Sequence, residues 1–177
     1  MRLFDTPLLE YRDLLSRKLG VRCVWDQSYK LCDVRPLFGE VHADLAQGYD
    51  YWGYGDIDVI YGNIRKIYTP DVLVHDVISS HDDITAGHFT LVRNIPRMNS
   101  AFRKIRGWRS LITRREHRGF DEFQWAHLFR PTKGNVYQRI KQRIRSPRQP
   151  CDGWFVEQHS TDLWPRLWID GTRNYPE

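Results

Sequence analysis

The sequence predicts an α/β domain, in which helices and strands alternate and pack as layers. Two observations carry that expectation. Stretches with apolar residues at helical spacing alternate with short runs rich in aromatic and β-branched residues. The chain has 177 residues, 41% of them hydrophobic and 28% charged, which suffices for one core but hardly for two.

Taken in order, the first helix is the best punctuated. Thr6 can cap it, Pro7 fits the first helical position and Gly20 ends it, with Leu8, Tyr11, Leu15 and Leu19 on one face. A short apolar run, residues 21–25, follows. A second helical pattern uses Val34, Leu37, Phe38, Val41 and Leu45; it starts near Pro36 and ends near Gly48. The run YDYWGYGDIDVIYG, residues 49–62, reads as a strand entering Asp56 and Asp58 and a second short strand leaving them. IRKIY, residues 64–68, reads as one helical turn.

VLVHDVI, residues 72–78, reads as a strand, SSHDD as a turn, and HFTLVRN, residues 88–94, as a strand whose Asn94 starts a helix. From about Arg97 the chain is mostly helical and basic. Residues 131–150 hold Pro131, Gly134, Pro147 and Pro150 and read as the least ordered part. WFVEQ and LWPRLWI near the end read as late strands.

Charge is unevenly spread. Residues 1–96 hold 10 basic and 14 acidic side chains, residues 97–148 hold 15 and 3, and residues 149–177 hold 2 and 5. The middle block, net +12, is where an anionic partner belongs: a phosphate-bearing small molecule, an anionic membrane surface or nucleic acid. Nucleic acid is the least favoured, because no nucleic-acid motif accompanies the charge. No apolar run spans a bilayer, and the acidic, Pro7-interrupted start does not read as a signal peptide. Cys23, Cys32 and Cys151 form neither a disulfide framework nor a zinc pattern, so the expected compartment is a reducing cytosol.

Asp56 and Asp58 pose the chemical question. Two carboxylates at i and i+2 of a strand share a face and repel each other unless water or a cation separates them. Glycines on the approach, Gly53 and Gly55, let backbone and ligand come close. Such a pair suits a hard divalent cation, Mn²⁺ or Mg²⁺, shared with phosphate oxygens. Alone, D-x-D is a weak signal whose plain alternative is a solvated strand end.

The surrounding stretches add weight. YKLCD at 29–33, WGYGDIDVIYG at 52–62, GHFTLVRN at 87–94 and GFDE at 119–122 occur in this order. The set resembles glycosyltransferases of the GT-A fold, and most closely an uncharacterised glycosyltransferase-like family of bacterial polysaccharide gene clusters, over roughly residues 5–125. The resemblance implies a Rossmann-like nucleotide-diphospho-sugar transferase, a mixed sheet flanked by helices. Residues 1–128 would be its core fragment and residues 129–177 a basic helical and loop extension with late strands in the same domain. The strand–helix–strand unit that opens such folds has no counterpart ahead of Thr6, so the core is expected to be N-terminally shortened.

The resemblance further implies that Asp56 and Asp58 hold the metal against the donor diphosphate. Lys30, Asp33, Trp52, Gly53, Asp56, Gly87, His88 and Arg93 would bind the nucleotide sugar, and Asp121 or Glu122 would take the acceptor proton. His159 is the guess for a third metal ligand. Each has a plainer alternative. Lys30 and Asp33 can be a surface pair, His88 a hydrogen-bonded strand residue, Arg93 a strand end, and Asp121–Glu122 an acidic first helical turn. The acceptor would be a saccharide or a lipid-phosphate-linked sugar, and the protein cytoplasmic and peripheral at the inner membrane face. The alternatives are a non-catalytic remnant or partner subunit of such an enzyme, and a basic nucleic-acid-binding protein.

Overall fold

The computed structural model describes residues 4–130, 136–145 and 152–156. Helix α1 (Leu8–Leu19) ends as expected at Gly20, whose left-handed φ of 65° lets its amide reach the Ser16 carbonyl. Its start differs by one residue: Pro7 is the cap itself, and no side chain caps the helix. α1 buries Leu15 and Leu19.

The expected long second helix is broken. α2 (Leu31–Val34) and α3 (Phe38–Val41) flank a 3₁₀ turn, Arg35–Leu37. Pro36 has no N–H to continue the helical ladder, so it sits inside the segment as the breaker rather than at its start. The inward residues Val34, Leu37 and Val41 are still fully buried.

The sheet is mixed and four-stranded, in the order β1 (Tyr51–Gly55), β3 (Phe89–Arg93), β2 (Val77–Ser79), β4 (Gly153–Phe155). β3 pairs antiparallel with β1 and β2, and β4 runs parallel to β2. One sheet face, with Trp52, Tyr54 and Val92, packs on the helical core of Trp25, Leu37, Phe102, Phe120 and Trp125. The opposite face carries Phe89, which Tyr61 and Tyr68 cover at ring separations of 5.5 and 4.7 Å.

The α/β class therefore holds, as a mixed sheet flanked by helices. Three local expectations change. β1 stops at Gly55, and residues 56–63 form a loop rather than a second strand. Of residues 72–78 only the end is extended, as part of β2. Asn94 caps no helix: its side-chain amide donates to the Ala46 and Tyr49 carbonyls, and α4 (Pro96–Asn99) begins after Ile95. The turn at Ile64–Lys66 forms as expected. α5 (Trp108–Thr113) and, in the segment expected to be least ordered, α6 (Val136–Arg145) complete the helices. Among the described residues no helix is long and apolar enough to cross a membrane. LWPRLWI and His159 lie outside the described residues.

Candidate functional site

The site grows from the sequence YKLCDVR. Lys30 and Asp33, three apart on a helical turn, face inward and pair at 2.7 Å with no side-chain exposure. The Lys30 ammonium also donates to the Leu111 and Glu116 carbonyls, at 2.7 and 2.8 Å. The Asp33 carboxylate accepts the Arg118 and Phe120 amides, at 2.9 and 2.8 Å. A buried ion pair is tolerable only when its remaining bonding capacity is filled in this way. The pair fastens the segment around residues 111–120 to α2 and thereby places Asp121. It is not a surface pair, since both side chains are turned wholly inward.

Two residues further on, the chain turns Arg35 toward the end of β1. Its Nη2 donates to Asp56 Oδ1 at 2.5 Å, and its Nη1 to Asp121 Oδ2 and the Gly87 carbonyl, both at 3.2 Å. One guanidinium thus ties together the D-x-D strand end, the start of GHFTLVRN and the GFDE stretch. Thr85, two residues ahead of Gly87, also binds the GFDE stretch directly. The Thr85 amide donates to the Glu122 carbonyl at 3.4 Å, and the Thr85 hydroxyl donates to the Asp121 carbonyl. Gly87 is bare for a reason: a Cβ there would stand 2.8 Å from Arg35 Nη1 and 3.4 Å from Glu122 Oε1.

Asp121 sits in a π-helical turn, Phe120–Gln124, and is almost wholly buried. Its Oδ1 has no hydrogen-bond partner. Burial pushes its carboxyl from 3.8 up to about 7. The Arg35 charge pulls the other way, and the charges of Glu122 and Asp33 add to the rise. Glu122, next in sequence, is only half-buried.

Asp56 is partly open and Asp58 exposed, on the loop that follows β1. Because the strand has ended, the alternation that would fix both carboxylates on one face does not operate here. Tyr61 folds back over the strand end, its hydroxyl donating to the Asp56 and His88 carbonyls at 3.1 and 2.5 Å. Gly55 leaves room for that hydroxyl, since a Cβ at 55 would come within 2.2 Å of it. An open groove of about 370 Å³ runs beside these residues, lined by Gly53, Tyr54, Gly55, Asp56, Tyr61, Phe89 and Leu91.

Three expected site residues stand elsewhere or do other work. Arg93 lies at the far end of β3, opposite Tyr51, whereas the site lies where Phe89 opposes Gly55. It pairs with Asp76 at 3.2 Å. Trp52 faces the core and donates its indole N–H to Asn99 Oδ1 at 2.8 Å, so it has no open face for a base or sugar. His88 is half-buried with Nε2 2.8 Å from Ser80 Oγ, the hydrogen-bonded strand-end role.

Among the described residues one cluster of possible metal ligands is present. Asp33, His117 and Asp121 can each offer one ligand atom within 4.8 Å of the others. Asp33 there already accepts the Lys30 ammonium and the Arg118 amide on Oδ2 and the Phe120 amide on Oδ1. Asp56 and Asp58 are more accessible carboxylates, with Asp56 Oδ1 held by Arg35. Cys23 and Cys32 are free thiols; burial pushes the Cys32 thiol up, and the charges of Arg35, Asp121, Asp56 and Asp33 also act on it.

A family model described as a family of unknown function (DUF6625) matches residues 1–160. No curated protein and no solved structure matches the chain.

Proposed function

We propose that this chain, which belongs to the DUF6625 family of unknown function, is a GT-A-like glycosyltransferase. It would be metal-dependent and move a sugar from a nucleotide-diphosphate donor to a saccharide or lipid-linked acceptor. The observation that carries the reading is the convergence on Arg35. Asp56, Gly87 and Asp121 are far apart in sequence and belong to three of the four stretches whose order suggests such an enzyme, and one guanidinium touches all three.

The residues present fit a divalent cation and a diphosphate. Asp56 and Asp58 are hard oxygen donors on an open loop, and Asp121 keeps a buried oxygen without a partner. Asp56 and Asp58 would hold Mn²⁺ or Mg²⁺, which supplies charge neutralisation to the departing diphosphate. Arg35 adds a fixed positive charge beside them, of the kind that stabilises a developing anion. Asp121 orients Arg35 from the buried side. Glu122, beside Gly87 and half-open, is the better placed of the two acids to take the acceptor proton. Lys30 and Asp33 support these groups from below.

The test is turnover. Purified protein is incubated with UDP-, GDP-, CDP- and dTDP-sugars, with and without Mn²⁺, and release of the nucleoside diphosphate is followed by chromatography. The expected result is metal-dependent release from one donor class, lowered roughly 100-fold or more in Glu122→Gln. Release from no donor contradicts catalysis, and if one metal–nucleotide pair still binds, the partner-subunit reading takes its place.

A further inference from the structure

Helix α6 carries a feature independent of sugar transfer. Val136, Ile140 and Ile144 recur every four residues along this helix and are 71%, 55% and 60% exposed. Tyr137, next on the same side, is 72% exposed. At about 100° per residue these four side chains fill an arc of roughly 100°, the width of a buried helical stripe. Here the stripe faces outward.

The polar side is cationic. Arg139 and Lys141 are exposed and fall on opposite flanks of the stripe. The Lys141 ammonium lies 6.0 Å over the Tyr137 ring, its stem running along the apolar surface. From residue 123 to residue 151 the sequence has seven basic residues and no acidic one. An apolar protein partner would match the stripe but not this charge, and nucleic acid would match the charge but not the stripe. An anionic lipid surface matches both: acyl chains take the isoleucines and headgroup phosphates take the cations on either side.

We propose that α6 is an interfacial helix that lies in the plane of an anionic membrane, with Val136, Tyr137, Ile140 and Ile144 toward the acyl chains. The helix is short and carries few apolar groups, so the attachment is reversible and needs the anionic headgroups as well as the stripe.

The full chain is sedimented with vesicles of phosphatidylcholine alone and with vesicles containing about 30% phosphatidylglycerol. The variants are Ile140→Asp/Ile144→Asp, Ile140→Ala/Ile144→Ala, which keeps helix propensity, and Arg139→Glu/Lys141→Glu. Circular dichroism and the melting temperature check that each remains folded. The expected result is binding to the anionic vesicles only. It is weakened about tenfold or more by either isoleucine pair and by the charge reversal, and is reduced at high salt. Equal binding by the isoleucine variants would reduce the effect to general charge and overturn the proposal. So would the absence of vesicle binding, or an oligonucleotide that binds wild type and isoleucine variants alike and displaces the vesicles.

Discussion

Arg35 Nη2 lies 2.5 Å from Asp56 Oδ1, and the same guanidinium holds Asp121 and the Gly87 carbonyl on its other side. The ion pair joins the break between α2 and α3 to the end of β1. It also leaves Asp121 depending on a single cation for compensation.

Replacing Arg35 should therefore destabilise the protein in a pH-dependent way. Arg35→Ala strands a buried carboxylate, at a cost on the order of 2–3 kcal/mol once the exposure of Asp56 is discounted. Near pH 5 Asp121 is protonated and needs no partner, so the cost should shrink. Urea unfolding of both proteins at pH 5 and pH 8 checks this. An equal loss at the two pH values would mean that Arg35 acts through packing alone.

Asp121 should leave its own signature. Its carboxyl titrates at about 7 in the folded chain against 3.8 ordinarily, because burial disfavours the charge. Between those values the native state binds more protons than the unfolded state, so this group lowers stability as pH rises from about 4 to about 7. Asp121→Asn should remove that slope. The variant should be the more stable of the two above pH 7 and have no such advantage near pH 4, as read from urea midpoints across the range.

Lys30 and Asp33 should behave as a coupled, buried pair. Asp33→Ala leaves the buried ammonium without its counter-ion and two amides without their acceptor, and should cost about 3–5 kcal/mol. Lys30→Met/Asp33→Leu removes both charges and should cost clearly less than the sum of the single changes. Additive losses would show that the two act independently.

Gly55→Ala should disturb the strand end. The added methyl meets the Tyr61 hydroxyl at 2.2 Å and the His88 carbonyl at 2.8 Å. Backbone as well as side chain has to move, at about 1–3 kcal/mol. Gly20→Ala adds no contact but forces a left-handed residue, and should cost about 1 kcal/mol. Thermal melts of the two variants distinguish collision from backbone strain.

Much of the scaffold was legible in the sequence, and the reason is local. Gly20 ends α1 through its own conformational freedom, and HFTLVRN is extended with Thr90 and Val92 buried on one face and Phe89 and Leu91 half-buried on the other. Pro36 misled, since a proline near a helical pattern reads as a start as readily as a break. The site was legible as separate motifs but not as an arrangement. Nothing local marks Arg35, because its three partners lie 21, 52 and 86 residues away. The one available signal was indirect: Lys30 and Asp33, facing inward at i and i+3, leave the residue after Val34 to point elsewhere. Trp52 and Arg93 look like ligand residues by type, and only the strand register shows that one faces the core and the other lies at the wrong end of β3.

On the function proposed above, a divalent cation and a nucleoside diphosphate meet at Asp56 and Asp58. Melting temperatures of wild type and Asp58→Asn, with UDP, GDP, CDP and dTDP, each with and without Mn²⁺, test it most directly. A ligand at about one hundred times its Kd adds roughly 2.7 kcal/mol to the native state, a visible shift. The expected result is a shift that requires both the metal and one nucleotide and is lost in the variant. No shift with any pair, or the same shift in Asp58→Asn, would contradict the claim.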